Sequence, residues 1–369
     1  MRIAIVTNTY PPRLGGLESH IEHLSHNLVE QGHQVWVLTI APTQGSRNDD
    51  GVEVLTGRSH LPIAEVISFP SLGATRRIAA FLRAHDIELV STHTRFFPMS
   101  LVGLRAAAKA GIPAIHTEHG SGFVASGSPV IMVGSRVVDV TMGRYVLRHA
   151  TKVLAVSPQA AAFAERLGGI EAQVFYNAIT PPLPDVVRVD RPGHLVFVGR
   201  VVPGKGWDSF LEAVAALRDR GLDVDGELLG AGAELPAARR MATSLGLDGV
   251  VDIRGRVDPQ EVRVSLAGST LVNPTVLSEG FQTTLLETIS EQGRVVTFDV
   301  PGAQLLRESG APVIVCAERS TESLVESLGR MLADPLPVAS EEILAPWLWP
   351  VRTREYADIA QQVLDAHRC

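Results

Sequence analysis

Leu195-Val-Phe-Val198-Gly199-Arg200-Val-Val-Pro-Gly204-Lys205-Gly206 is a short apolar run closed by a glycine-rich, basic turn. Consecutive apolar residues read as a strand covered on both faces, and the glycines let the chain turn at once into a helix. The chain opens with the same phrase, since Ile3–Thr7 is apolar and Pro11-Pro-Arg-Leu-Gly15-Gly16-Leu-Glu18 follows it. Further runs recur at Gln34–Ile40, Leu89–Ser91, Ala114–His116 and Val153–Val156, then at Glu227–Leu229, Val250–Ile253, Thr270–Asn273 and Arg294–Phe298. A helix-length pattern follows each run, and this alternation predicts parallel sheets with crossover helices. The expected fold class is α/β, with two doubly wound, Rossmann-like domains.

The join between the two falls near Asn177–Gly193, where Pro181, Pro182, Pro184 and Pro192 crowd a segment without periodicity. Proline keeps a chain extended and stops helices, so residues 181–193 read as a linker between a domain at 1–180 and another at 194–352. An amphipathic helix is expected over Thr353–His367. Doubly wound sheets bind ligands at the carboxyl ends of their strands, so a central cleft faced by both domains is the expected site.

A length of 369 residues, 45% hydrophobic and 20% charged, suffices for two cores and excludes a disordered or collagen-like chain. The two cysteines, Cys316 and Cys369, exclude a disulfide framework and suit a reducing compartment. No run of about 18 uncharged apolar residues spans a bilayer, and Met1–Thr7 reads as a strand and not a secretory leader. The expected location is therefore cytoplasmic. The net charge of −7 divides unevenly: residues 1–185 hold 15 basic and 14 acidic residues, and residues 186–369 hold 18 and 26. With no basic block the chain is a poor nucleic-acid binder. The less acidic first domain is the candidate for peripheral contact with the inner face of a membrane. Pro129–Leu147, apolar with Arg136 and Arg144, reads first as a buried helix and second as that contact.

Three motifs carry chemistry. Gly15-Gly16 after the first strand allows a backbone to approach an anion at a helix start. Arg200 and Lys205 flank the turn after the Leu195 strand and place two cations where a diphosphate can be neutralised. This is not a phosphate-binding P-loop, because Gly206 follows the lysine where serine or threonine belongs. The third motif is Ser278-Glu279-Gly280-Phe281-Gln282-Thr283-Thr284-Leu285-Leu286-Glu287, in which Ser278 or Glu279 can cap a helix. Over the eight residue steps from Glu279 to Glu287 a helix rises about 12 Å. A glycosidase pair needs carboxyls about 5–9.5 Å apart around one bond. The two glutamates therefore suit the ends of an elongated ligand, one on sugar and one on ribose hydroxyls. His119-Gly120 closes the run Ala114-Ile-His-Thr-Glu118 at a strand's carboxyl end and reads either as a ligand contact or as a turn support.

Other patterns fail as the motifs they first suggest. Gly230-Ala-Gly232-Ala-Glu-Leu235 has leucine where a dinucleotide fingerprint needs its third glycine. Asp223-Val-Asp225 precedes a strand and reads as a polar loop. His20, His23 and His26 drift about 60° per step around a helix without a Glu or Cys to complete a metal set, so they read as a solvated helix face.

In this order and spacing the segments resemble the retaining, family-four glycosyltransferases of the GT-B fold (glycosyl transferases group 1). The resemblance runs through Gly15-Gly16-x-Glu18, Gln31-Gly32-His33, His119-Gly120, Ala155-Val-Ser157, Tyr176-Asn177-Ala178, Val198-Gly199-Arg200 with Lys205-Gly206, Gly230-x-Gly232, Arg254-Gly255-Arg256-Val257, and Asn273-Pro274 through Glu279-Gly280-Phe281 to Glu287. It implies transfer of a sugar from a nucleoside-diphosphate sugar to an acceptor hydroxyl, with no metal and no other cofactor. It further implies that Arg200 and Lys205 grip the diphosphate, Glu287 binds ribose, and the backbone at Arg256 and Val257 meets the base, beside Gly230. Glu279 and the N–H groups of Gly280, Phe281, Gln282 and Thr283 would hold the sugar and outer phosphate. Gly16 would approach the diphosphate, His119 would lie beside the transferred sugar, and the last helix, within 353–369, would cross back onto the first domain. The chain departs from the pattern at Gln282, where glycine is usual, at Arg294, where proline is common, and at Leu305, where a glutamate is usual.

The implied products are cell-envelope glycolipids, polysaccharides or secondary-metabolite glycosides. Two other readings fit the same fold. A sugar-nucleotide epimerase would form product from donor alone, and a non-catalytic partner would bind nucleotide and release none.

Overall fold

The computed structural model describes residues 1–13, 15–63, 67–123, 129–277 and 280–368. The chain divides into two compact units, Met1–Ala178 with Trp349–Cys369, and Ile179–Leu348.

In the first unit the strands are β1 (Arg2–Val6), β2 (Gln34–Ala41), β3 (Gly45–Asp49), β4 (Val52–Ile63), β5 (Ile67–Pro70), β6 (Leu89–His93), β7 (Ala114–Glu118), β8 (Lys152–Ala155) and β9 (Gln173–Val174). Its helices are α1 (Gly16–Glu30), α2 (Ala74–Ala84), α3 (Pro98–Ala110), α4 (Pro129–Val138), α5 (Arg144–His149) and α6 (Pro158–Gly168). The sheet order is β3-β4-β2-β1-β6-β7-β8-β9, parallel except where β3 and β5 run antiparallel to β4. Both faces are covered, as the unbroken apolar strands require. Ile3 and Ile5 of β1 pack with Ile21, Leu24 and Leu28 of α1, while Ala4 and Val6 point the other way, to Ala79 and Leu82 of α2 and Leu104 of α3.

The second unit carries β10 (His194–Val198), β11 (Asp225–Leu229), β12 (Val251–Gly255), β13 (Thr270–Asn273), β14 (Arg294–Thr297) and β15 (Val313–Val315). Among them lie α7 (Trp207–Asp219), α8 (Leu235–Ser244), α9 (Pro259–Leu266), α10 (Thr283–Ser290), α11 (Ala303–Glu308), α12 (Thr321–Ala333) and α13 (Glu341–Leu344). This sheet is parallel in the order β12-β11-β10-β13-β14-β15. Its core joins Leu195 and Phe197 to Phe210, Leu211 and Val214 of α7 and to Leu324 and Leu328 of α12.

Three features differ from the sequence reading. The last helix, α14, spans Trp349–Arg368 and so starts four residues before Thr353. It belongs to the first unit, burying Trp349, Tyr356, Ile359, Ala360 and Val363 against Ile3, Ile5 and Leu24. Residues 181–193 are not a free linker. Arg188 donates to Glu291 at 2.6 Å, Leu183 N–H donates to the same carboxylate at 3.0 Å, and Arg191 donates to the carbonyls of Ala267, Val264 and Ser265. Prolines keep this stretch extended, and its arginines tie it to the second unit. Finally, α4 is not buried: Ile131, Val133, Val137 and the following Val140 are about half exposed or more.

Candidate functional site

Each sheet has one place where strand order reverses, and ligands gather at such switch points. In the second unit this lies between β10 and β13. The turn after β10 carries Arg200, which is exposed, and Lys205, which is partly buried. That turn is bonded to the chain leaving β13: Val276 N–H donates to the Gly204 carbonyl at 2.9 Å and the Thr275 hydroxyl donates to it at 3.2 Å. Gly206 sits at φ +87 with the Pro274 backbone where a Cβ would be, so only glycine passes there. Gly230, at the end of β11, has the same constraint: a side chain would overlap the Gly199 carbonyl. Arg256 and Val257 follow β12, the next strand out. Arg256, Gly230, Arg200 and the approach to α10 therefore succeed one another along four adjacent strand ends.

At α10 the helix starts at Thr283, with Gln282 as its extended N-cap. The Gln282 amide oxygen accepts from Asn273 Nδ2 at 2.6 Å, which fixes the chain ahead of the helix. Phe281 is buried, stacked on Trp347 at 5.4 Å between ring centroids, so its side chain anchors the segment. Gly280 is partly buried beside it. Glu287 lies one turn into α10. Burial pushes its carboxyl up from the usual range, against Arg263 and a bond with Thr283 that pull it down. Ser278 and Glu279 lie outside the described residues. The helical spacing from Glu279 to Glu287 is corrected, because α10 begins four residues after Glu279 and neither Ser278 nor Glu279 is its N-cap.

In the first unit the switch lies between β1 and β6. Gly16 opens α1, and a Cβ built on it would meet nothing within 4 Å; at the neighbouring Gly15 it would collide with the Glu18 carboxylate. His119 follows β7 and is partly buried. Its Nε2 lies 3.2 Å from Nδ1 of His93, the last residue of β6. The loop holding it is pinned from below by a buried charge cluster. Arg95 donates to Glu118 at 2.8 Å, to Asp139 at 2.9 Å and to the Gly122 carbonyl at 2.9 Å, and Gly120 N–H donates to Glu118 at 2.7 Å. Burial alone would raise the Glu118 carboxyl, yet Arg95, His116 and the Gly120 amide pull it to about 2.

The sequence reading misses several of these residues. His20 does not lie on a solvated face: it is 3% exposed, packed edge-on against Trp349, His93 and His119. No periodicity within α1 could reveal this, since its partners come from β6, the loop after β7 and α14. A cavity of about 440 Å³ at the ends of β1 and β2, lined by Asn8, Tyr10, Arg13 and Arg47, is also absent from that reading. The Tyr10-Pro-Pro stop after the first strand is its one sequence signal.

Among the described residues no helix is long and apolar enough to cross a membrane. The model of Glycosyltransferase Family 4 matches residues 14–181, and that of Glycosyl transferases group 1 matches residues 192–334. The chain is 26% identical over 343 residues to a human phosphatidylinositol N-acetylglucosaminyltransferase subunit, covering 89% of this chain and 68% of that protein. It is 26% identical over 381 residues to the GDP-mannose-dependent alpha-(1-6)-phosphatidylinositol monomannoside mannosyltransferase of Mycolicibacterium smegmatis, covering 96% and 97%. Its fold is similar to that of a sucrose-phosphate synthase from Thermosynechococcus elongatus, with a TM-score of 0.77 at 18% identity over 99% of both chains. It is also similar to Anabaena HepE in complex with UDP, with a TM-score of 0.75 at 16% identity over 98% of this chain and 100% of that one. The two parallel sheets are those of the GT-B fold, and the chain belongs to the family-four glycosyltransferases, with a group 1 glycosyltransferase region in its second unit.

Proposed function

We propose that this glycosyltransferase moves a hexose from a guanosine- or uridine-diphosphate sugar to a hydroxyl of a lipid-borne acceptor, with retention of anomeric configuration. The observation that carries the donor half is the cationic turn Gly199–Gly206, bonded to the chain that leads into α10 at the switch between β10 and β13. Arg200 and Lys205 take the diphosphate, and the N–H groups at Gly280–Thr283 with Glu279 take the outer phosphate and sugar. Glu287 takes the ribose, and the strand ends at Gly230, Arg256 and Val257 take the base. From the first unit, Gly16 serves the diphosphate and His119 the transferred sugar. The bond from the sugar's anomeric carbon to the phosphate oxygen breaks as the acceptor oxygen bonds to that carbon on the same face. The acceptor's proton passes to the departing phosphate. Charge growing on that phosphate is met by the two cations, so the step draws on no metal ion.

The relatives named for phosphatidylinositol substrates support the lipid-borne acceptor. So does the exposed apolar face of α4, where Ile131, Val133 and Val137 accompany Arg136. Such a face lies in a membrane interface and draws further hold from anionic headgroups. Vesicles containing anionic lipid are expected to sediment the protein, and Val133→Asp with Val137→Asp to leave it in the supernatant. Equal sedimentation of the variant would remove α4 from the contact.

Thermal shift with nucleoside diphosphates tests the donor site, because a ligand of the folded state raises the melting temperature. GDP or UDP is expected to stabilise the wild type. Lys205→Ala and Arg200→Ala are each expected to lose about 10²–10³ in kcat, as for removal of one charge-stabilising donor. Full activity in Lys205→Ala would end the assignment, and a product of inverted anomer would end the retaining mechanism. Product from donor alone would mark an epimerase instead, and binding without release a non-catalytic partner.

A further inference from the structure

We propose that His20, His93 and His119 form a binding site for a divalent transition-metal ion of the zinc class. One nitrogen of each ring lies within 4.8 Å of the other two. Nδ1 of His93 and Nε2 of His119 are 3.2 Å apart. Two imidazoles on one tetrahedral zinc, with bonds of about 2.0–2.1 Å, stand about 3.3 Å apart, so two of the three donors already have the required separation.

The third ring carries an unsatisfied nitrogen. His20 Nδ1–H donates to Asn177 Oδ1 at 3.0 Å, which leaves the lone pair on Nε2, and that atom is buried with no hydrogen-bond partner. A buried polar atom without a partner calls for an explanation, and a cation supplies it. The outer contacts needed to orient metal-binding imidazoles are also in place. Asn177 holds His20, while Ser91 Oγ lies 3.2 Å from His93 Nε2 and accepts from the Tyr356 hydroxyl at 2.8 Å.

The cation takes the place of the proton between His93 Nδ1 and His119 Nε2, and that proton moves to the other nitrogen of the ring that carries it, so both rings stay neutral ligands. All-imidazole donors favour zinc, cobalt, nickel and copper over magnesium and calcium. Glu118 is committed to Arg95 and Gly120, so a fourth position is left for water or a hydroxyl. One consequence rests on the transferase reading: with His119 beside the transferred sugar, a metal here competes with substrate and slows transfer.

The test is titration of the purified, chelator-treated full chain with Co²⁺, read by the visible absorption of four-coordinate cobalt. One equivalent is expected to bind, to be displaced by Zn²⁺ and to be unaffected by Mg²⁺. Asn177→Ala keeps all three ligands and is expected to weaken binding about 10–100-fold; His20→Phe and His93→Phe should weaken it further. His26→Gln, which dismantles the other metal-like group (His26, Asp49 and Asp50), should change nothing. A six-coordinate spectrum, or a four-coordinate one undiminished in both Asn177→Ala and His20→Phe, overturns the proposal. Cobalt binding that leaves sugar transfer unaffected upholds the site and removes His119 from the sugar.

Discussion

Arg95 has no exposed side-chain surface, yet carries a full charge between two carboxylates, with its guanidinium 4.5 Å from the Phe163 ring centroid. Breaking a buried pair by removing one partner strands the other charge and costs about 3–5 kcal/mol. Arg95→Met is therefore expected to destabilise the first unit by that amount, read as a lower urea midpoint. Adding Glu118→Gln and Asp139→Asn should recover part of the loss by removing the stranded charges. A change below about 1 kcal/mol in the single variant would mean that these groups do not depend on one another. The same cluster shows what a sequence hides. His119 can be singled out because it ends an apolar strand with glycines beside it. Arg95, Glu118 and Asp139 are ordinary charged residues in one dimension, and only the fold gathers them under the His119 loop. His20 is visible as part of a histidine row but misleads, because the row suggests one helix face and the real neighbours lie on other elements.

At the scale of elements, strands buried on both faces are the most legible, since a continuous apolar run has few other uses. Thr270–Asn273 matches its reading, and the other central strands agree with theirs to within two residues at either end. The edge is not legible. Strands β3, β4 and β5 lie on the margin of the first sheet, with much polar and exposed sequence such as Gly45–Asp49, so no apolar run marks them. In the second unit, β10 and β11 are joined by more than their backbones. His194 Nδ1 lies 2.9 Å from Asp225 and its Nε2 lies 3.4 Å from Glu227, which also accepts from Ser265 and Arg254. Burial alone would lower the His194 pKa, but Glu227 and Asp225 outweigh it and raise it above 6.5. The bond from His194, against burial and aided by Ser265 and Arg254, draws Glu227 from 4.5 to about 2. A raised histidine stabilises fully below its unfolded value and loses that contribution as pH climbs through the folded one. A lowered glutamate contributes above its unfolded value and loses it as pH falls towards 2. The pair thus contributes most between pH 4.5 and 6.5. His194→Gln should lower the melting temperature most in that window and progressively less in alkaline buffer. A deficit independent of pH would show that the ring matters only as packing.

The whole molecule is threaded so that its first unit is closed by the last stretch of chain: Met1–Ala178 is completed by Trp349–Cys369, and everything between folds as the second unit. Helix α14 is no appendage. Trp349, Tyr356, Ile359 and Val363 join the layer beneath β1, and Arg368 reaches Glu88 near the start of β6 at 3.2 Å. Burying side chains of this size contributes about 1.5–3 kcal/mol each. Together they reach the order of the 5–15 kcal/mol that holds a whole domain folded. The second unit shares none of that layer, because its own core gathers around Phe197, Phe210 and Leu328. A chain ended after Leu348 is therefore expected to lose amide protection in β1, β6 and α1 while β10, β11 and α7 keep theirs. Hydrogen exchange followed peptide by peptide reads both at once. Equal loss in the two units would mean that they unfold as one and that the division of the chain has no energetic counterpart. Protection kept throughout would mean that the first sheet stands without its closing helix. The expected, one-sided result also has a functional reading. Tyr356 is bonded to Ser91, and through it to His93, so the truncated chain should retain nucleotide binding, which is proposed for the second unit, and lose cobalt binding and sugar transfer.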